Sequence, residues 1–202
     1  MRGYFGIGVE NVSKAMNAGA VMRTAHAFGA NFSFFVGGPL NKNEIRLSDT
    51  SNTENSLPTY YFNSVEDLSL PKGCKLVGIE LLDNAEYLPS FKHPRLAAYI
   101  LGSERYGLSK KIIEKCDKII KIPTKFSLNL ALTGGIVLYD RMISMKNFNN
   151  NQKIMLIGIV AVFLMFILYN LFLSPFAQCV SGTTESTTFN KGEAKRICGQ
   201  HR

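Results

Sequence analysis

A chain of 202 residues with a formal net charge of +8 has room for one ordinary domain and a modest appendage, with a core of useful size. Its four cysteines, Cys74, Cys116, Cys179 and Cys198, show no C-x-x-C spacing, and His26, His93 and His201 lie far apart, so neither a disulfide miniprotein nor a metal site is expected. The basic excess is moderate: it favours an anionic partner or is simply a solvated surface.

Tyr4-Phe-Gly-Ile-Gly-Val9 reads as an opening strand, and residues 14–28 carry apolar side chains at near-helical spacing until Gly29 stops them. Residues 32–36 resume as a strand closed by Gly37-Gly-Pro39, which makes a β-α-β start. Residues 41–63 turn polar around Asp49-Thr-Ser-Asn-Thr-Glu54 and read as an irregular surface segment with room for one short turn of helix. Ser64-Val-Glu-Asp67 resembles a capped helix start, and residues 75–79 and 97–101 read as buried strands. Ser109 caps a helix reaching Cys116, residues 118–122 form the last strand, and a helix over 128–145 closes an α/β domain of residues 1–146.

The character then changes. Residues 147–153 read as a polar linker, and residues 154–173 are uncharged and apolar apart from Asn170. About 20 residues at ~1.5 Å each cross a hydrocarbon core of roughly 30 Å, so this segment is expected to be a transmembrane helix. Its rival is a buried core or dimer-interface helix, and its position excludes a cleaved signal peptide. Arg141, Lys146 and Lys153 precede the span, whereas residues 174–190 hold no Lys or Arg and one acid, Glu185, which places the first domain on the cytoplasmic side. In the polar tail, 174–202, Cys179 and Cys198 either pair in an oxidising compartment or remain thiols in a disordered segment.

Chemistry concentrates in three blocks. Leu101-Gly-Ser-Glu-Arg-Tyr-Gly-Leu-Ser109 and Ile122-Pro-Thr-Lys-Phe-Ser-Leu-Asn129 each read as the carboxyl end of a strand entering a loop, where open α/β sheets bind ligands, so the two suggest one composite pocket. The third is Asn17-Ala-Gly-Ala-Val-Met-Arg23. On a helix its two polar ends are separated by about 600° of rotation, so Asn17 belongs in the entering loop or first turn if both serve one site. Gly19 and Ala20 leave space for another backbone. Lys110, Lys111, Lys115, Lys118, Lys121 and Lys125 crowd around the loops, either gathering phosphates or forming a solvated face.

In this order the three blocks resemble the motifs of the SpoU-type RNA ribose 2′-O-methyltransferases of the SPOUT class, over about residues 1–145. The opening and Arg46-Leu-Ser-Asp-Thr-Ser51 look like short bacterial members without a separate RNA-binding domain. The resemblance implies a deep trefoil knot with a mostly parallel sheet, bent S-adenosylmethionine in the knotted loops, a homodimer whose site uses both subunits, and tRNA or rRNA as substrate. It also implies a cofactor pocket of Ile79, Glu80, Gly102, Ile122, Ser127 and Leu128, and a catalytic set of Asn17, Arg23, Glu104, Ser127 and Asn129. A guanidinium with a pKa above about 12 seldom yields its proton, so Arg23 is expected to hold phosphate and stabilise charge on the 2′-oxygen. Proton removal then falls to a phosphate oxygen, water or Glu104.

Structural roles compete with these. Glu104 pairs with Arg105 or bonds backbone amides, Asn129 caps the closing helix, and Arg23 makes a surface ion pair. Gly134 and Gly135 read as tight helix packing, Tyr139-Asp-Arg141 as packing or an ion pair, and Tyr60 and Tyr61 as core in preference to base-stacking residues. A non-catalytic, membrane-tethered RNA-binding scaffold that retains the fold is the alternative function.

Overall fold

The computed structural model describes residues 3–48, 53–170, and 178, 179, 182, 194–196 and 198 in the tail; residues 49–52, the centre of the expected irregular segment, and most of the expected tail lie outside them. The chain divides into two compact units, Met1–Phe148 and Asn149–Arg202.

In the first unit, seven strands form one parallel sheet: β1 Tyr4–Glu10, β2 Phe32–Val36, β3 Thr59–Phe62, β4 Lys75–Ile79, β5 Glu86–Tyr87, β6 Leu96–Leu101 and β7 Lys118–Lys121. Their spatial order is β3-β2-β1-β6-β4-β7-β5. Both faces are covered, which explains why β2 is buried throughout instead of alternating with polar residues. Phe5, Ile7 and Val9 of β1 and Ala97, Tyr99 and Leu101 of β6 join one cluster with helix α1, Ala15–Ala27, and the start of helix α4, Leu130–Leu168. The alternate positions Ala98 and Ile100 join Phe32, Phe34 and Leu76 in a second cluster under helix α3, Lys110–Lys115. A period of two thus divides each central strand between two layers of helix.

The segment expected to be irregular holds more order than its polarity suggests. Helix α2, Lys42–Leu47, carries a capping box in which Asn41 Oδ1 accepts from the Glu44 amide at 3.0 Å and Glu44 accepts from the Asn41 amide at 2.7 Å. A short 3₁₀ turn, Thr53–Asn55, and β3 follow. Gly19 lets α2 close on α1, since a Cβ there would lie 2.2 Å from the Ser48 carbonyl oxygen. By contrast, residues 64–67 form only a turn: the Ser64 hydroxyl donates to Asp67 at 2.9 Å, but Pro71 follows within a turn and prevents a helix.

At the strand starts, Arg141 of α4 is buried and donates to the carbonyls of Pro94 at 2.6 Å and Arg95 at 3.0 Å, with its guanidinium over the Phe5 ring. Its neighbour Asp140 binds His93 Nε2 at 2.9 Å, and His93 Nδ1 meets the Tyr99 hydroxyl at 2.5 Å. Asp140 and Arg141 therefore pack the closing helix onto β6, whereas Tyr139, expected to pack with them, is half-exposed. Gly134 serves the same docking, since a Cβ there would lie 3.0 Å from Ile7.

Residues 147–153, expected as a linker, are continuous helix. They hold no glycine or proline, and nothing in them stops the helix begun at Leu130. In the second unit α4 runs on to Leu168 with every described side chain from 150 to 170 exposed, and Cys179 is bonded to Cys198. Its most apolar stretch has a mean hydropathy of 2.1 and is long enough to cross a membrane. Residues 171–173 of the expected span lie outside the described residues.

Candidate active site

Strand register assembles the site. Val9 pairs with Leu101, Leu101 with Ile79 and Ile79 with Ile120, so the residues that follow, Glu10, Gly102, Glu80 and Lys121, form a row at the carboxyl edge of the sheet. Beyond this row opens a cleft of about 650 Å³. It is lined by Asn17 from α1, Ile79 at the end of β4 and Glu80 after it, Gly102 and Glu104 after β6, and Ile122, Ser127, Leu128 and Asn129 between β7 and α4. Three blocks distant in sequence therefore meet in one place.

The loop after β6 is a tight, braced structure. Ser103 and Gly107 exchange backbone hydrogen bonds at 3.0 Å each, and Gly107 adopts a φ of 66°, which favours glycine. A Cβ on Gly102 would stand 2.0 Å from the Gly107 carbonyl carbon and 2.2 Å from the Leu108 nitrogen. Gly102 is thus required by its own loop folding back over the strand end. Two carboxylates hold that loop from below: Glu80 accepts from the Leu108 amide at 2.7 Å and from the Leu81 amide at 3.0 Å, and buried Glu10 accepts from the Ser109 amide at 2.7 Å.

Glu104 faces the other way. It accepts hydrogen bonds from the Asn17 amide and, at 3.2 Å, from the Ser13 hydroxyl, and it does not pair with Arg105. Partial burial raises its pKa, but the bonds from Asn17, its own backbone and Ser13, with the charge of Lys14, outweigh that and hold the carboxyl below the ordinary glutamate value. Asn17 lies in the first turn of α1. Asn129 both lines the cleft and caps α4, with Oδ1 accepting from the Ala131 amide at 2.9 Å.

Arg23 is elsewhere. It is exposed on the outer face of α1, beside a second, mainly apolar groove of about 470 Å³ formed with Thr24, Phe28, Ala131, Leu132, Gly135 and Tyr139. Half of the lysine cluster is committed: Lys111 binds Glu66 at 2.6 Å, Lys115 binds the carbonyls of Val65 and Leu68, and Lys121 binds those of Leu82 and Asp83 beneath the Tyr87 ring. The cations on the cleft are Lys14, Arg105 and Lys121. Tyr61 stacks on Phe35 at 5.9 Å and is partly buried, whereas Tyr60, expected as core, meets Phe32 edge-on at 6.3 Å but is half-exposed.

Residues 5–139 match the model of the SpoU rRNA methylase family. The chain belongs to this family. An uncharacterized tRNA/rRNA methyltransferase from Archaeoglobus fulgidus is 31% identical over 147 residues, covering 68% of the chain and 63% of that relative. The mitochondrial rRNA methyltransferase 1 of Dictyostelium discoideum is 27% identical over 143 residues, covering 63% of the chain and 27% of that relative. The chain thus spans less than two thirds of the length of these curated relatives. An AdoMet-bound rRNA methyltransferase from Sinorhizobium meliloti shares the fold with a TM-score of 0.60 at 23% identity, covering 70% of the chain and 56% of that structure.

The sequence motifs of this SpoU family member pointed to the cleft but missed Glu10, Ser13, Lys14 and Tyr106. The carboxylate of Glu10 at the end of an otherwise apolar strand was the available signal; the others are shown only by the fold.

Proposed function

We propose that the protein is an S-adenosylmethionine-dependent RNA ribose 2′-O-methyltransferase acting on tRNA or rRNA. The observation that carries this reading is the convergence of Asn17, Glu104 and Asn129 on one cleft with Ile79, Gly102, Ile122 and Leu128. Its volume lies within the roughly 300–1,000 Å³ of small-molecule sites, and apolar walls beside a few polar groups suit an adenosine and a sulfonium side chain. The family match and the AdoMet-bound relative of the same fold support this choice.

The cofactor, when bound, supplies an electrophilic methyl group. Ile79, Ile122 and Leu128 provide apolar walls for its adenine, and the loops around Gly102 and Ser127 provide main-chain groups to read its edge. Asn17 fixes the Glu104 carboxylate at the mouth of the cleft, where it orients the ribose or receives the 2′-hydroxyl proton together with water or a phosphate oxygen. Ser127 and Asn129 shape the opposite wall. Orientation of this kind supplies several of the roughly 7–11 kcal/mol available to well-positioned reactants.

Arg23, holding phosphate and stabilising charge on the 2′-oxygen, completes this site if two copies meet over the α1–α4 groove. Half-exposed Leu132 and Tyr139 at that groove support a homodimer. The order β1-β6-β4-β7, with both motif loops folded at one edge, fits a deep trefoil knot. The exposed apolar end of α4 acts as a single membrane span with the catalytic domain, residues 1–146, in the cytoplasm; Cys74 and Cys116 are free thiols, whereas Cys179 and Cys198 in the tail are bonded.

Transfer of labelled methyl from S-adenosylmethionine to total small RNA, followed by detection of alkali-resistant 2′-O-methyl linkages, tests the activity. Absence of transfer to any RNA would leave a binding scaffold. Flotation of the full chain with lipid vesicles, lost on truncation before Asn147, tests the anchor.

A further inference from the structure

Tyr106 and Phe126 are the most exposed aromatic side chains among the described residues, at 85% and 74%, and neither stacks on another ring there. The fold gains nothing from leaving these rings in water. Both are nevertheless presented on hydrogen-bonded loops. The Tyr106 amide donates to Ser103 Oγ at 3.2 Å inside the Ser103–Gly107 turn, and the Phe126 carbonyl accepts from Thr124 Oγ1 at 3.0 Å. Tyr106 lines the cleft, and Phe126 stands in the segment whose Thr124 and Ser127 line it from the β7 side.

Cations are interleaved with the rings. Lys14 and Arg105 line the same cleft, Lys125 precedes Phe126, all three are exposed, and none has an ion-pair partner among the described residues. Aromatic faces alternating with exposed cations match the chemistry of unstacked nucleotides, whose bases stack while their phosphates are neutralised. A duplex hides those base faces in its own stack. A second copy of the chain is better matched by the mainly apolar α1–α4 groove.

We propose that Tyr106 and Phe126 are stacking platforms for unpaired bases flanking the target ribose, with Lys14, Arg105 and Lys125 holding the adjoining phosphates. This rests on the RNA-methyltransferase reading and adds to it that the substrate enters single-stranded or flipped out, read by two rings outside the methyl-transfer set.

The test uses the full chain in detergent micelles with S-adenosylhomocysteine, and two fluorescent probes: a short oligouridylate and a paired RNA duplex of equal length. The wild type is expected to prefer the single strand. Tyr106→Ala and Phe126→Ala should each weaken single-strand binding by about 5- to 150-fold, the range for loss of one base–aromatic stack. Tyr106→Trp should retain binding within a few-fold, Phe126→Ala, outside the cleft lining, should leave cofactor affinity unchanged, and oligomeric state should not change. Unchanged binding by both alanine variants, equal losses on the duplex, or loss of the dimer with Tyr106→Ala would overturn the proposal. Preserved ring-dependent binding by a wild type that transfers no methyl group would overturn the catalytic reading and leave this one standing.

Discussion

The Asn17 side-chain amide donates to the Glu104 carboxylate, joining the first turn of α1 to the loop after β6 across 87 residues of sequence. This contact ties the first sequence block to the second, and it selects the ionised form of Glu104.

Glu104→Gln removes that charge at little cost in volume. It is expected to lower the methyl-transfer rate about 100-fold, the scale of a misplaced reacting group, while calorimetric cofactor affinity stays within a few-fold. The folded-state pKa of Glu104 lies below its ordinary value of 4.5, so its pairing is fully present above that value and fades as pH falls through the lowered one. Wild-type activity between pH 7 and 5 should therefore show no loss traceable to Glu104; a fall over that range that disappears in Glu104→Gln would contradict this.

Gly102→Ala places a methyl group within 2.0 Å of the Gly107 backbone, where no flexible side chain can yield. The loop must open, with a stability cost of about 1–3 kcal/mol typical of overpacking and a larger loss of cofactor binding. Thermal unfolding with and without S-adenosylmethionine measures both; a ligand-induced stabilisation equal to that of wild type would show that the loop does not frame the pocket.

Arg23→Ala is expected to abolish transfer while leaving cofactor affinity intact, because Arg23 lies outside the cleft of its own chain. If the site is shared between copies, mixed dimers of Arg23→Ala with Glu104→Gln chains regain activity well above that of either parent. Silence of that mixture, with mixed dimers verified by mass, argues for a site within one chain.

His93 supplies the pH dependence of stability. Its side chain is fully buried, and burial lowers its pKa below the ordinary 6.5 more than the Asp140 hydrogen bond and charge raise it. The unfolded chain therefore takes up a proton more readily than the folded one, so stability is full above about pH 6.5 and declines below it. Denaturant midpoints at pH 7.5 and 5.5 measure this decline, and His93→Gln should flatten it at a lower plateau. An unchanged slope in that variant would assign the decline to other groups.

Most of the frame was legible from local patterns. Apolar runs bounded by glycine gave β1, β2, β4 and β6, and Ser109 marked the start of α3 because its hydroxyl meets the Ile112 amide at 3.3 Å. Strand β3 was missed: Thr59-Tyr-Tyr-Phe62 is short, follows a polar segment, and owes its ordering to pairing with β2. The helix expected after Ser64 failed for the opposite reason, since a correct local cap had no chain able to extend it.

The sequence by itself picked out residues that line one cleft, because Asn17, Glu104, Ser127 and Asn129 sit in ordered motifs whose glycines and caps act over a few residues. It also determined the apolar character of residues 154–170, since length and hydropathy are properties of composition. Only the tertiary structure decided that β6 lies between β1 and β4, so that loops separated in the chain share one edge, and that Arg23 faces a different groove from the residues it was grouped with. Sheet order and helix facing are set by long-range burial on both faces of the sheet, and no local spacing encodes them.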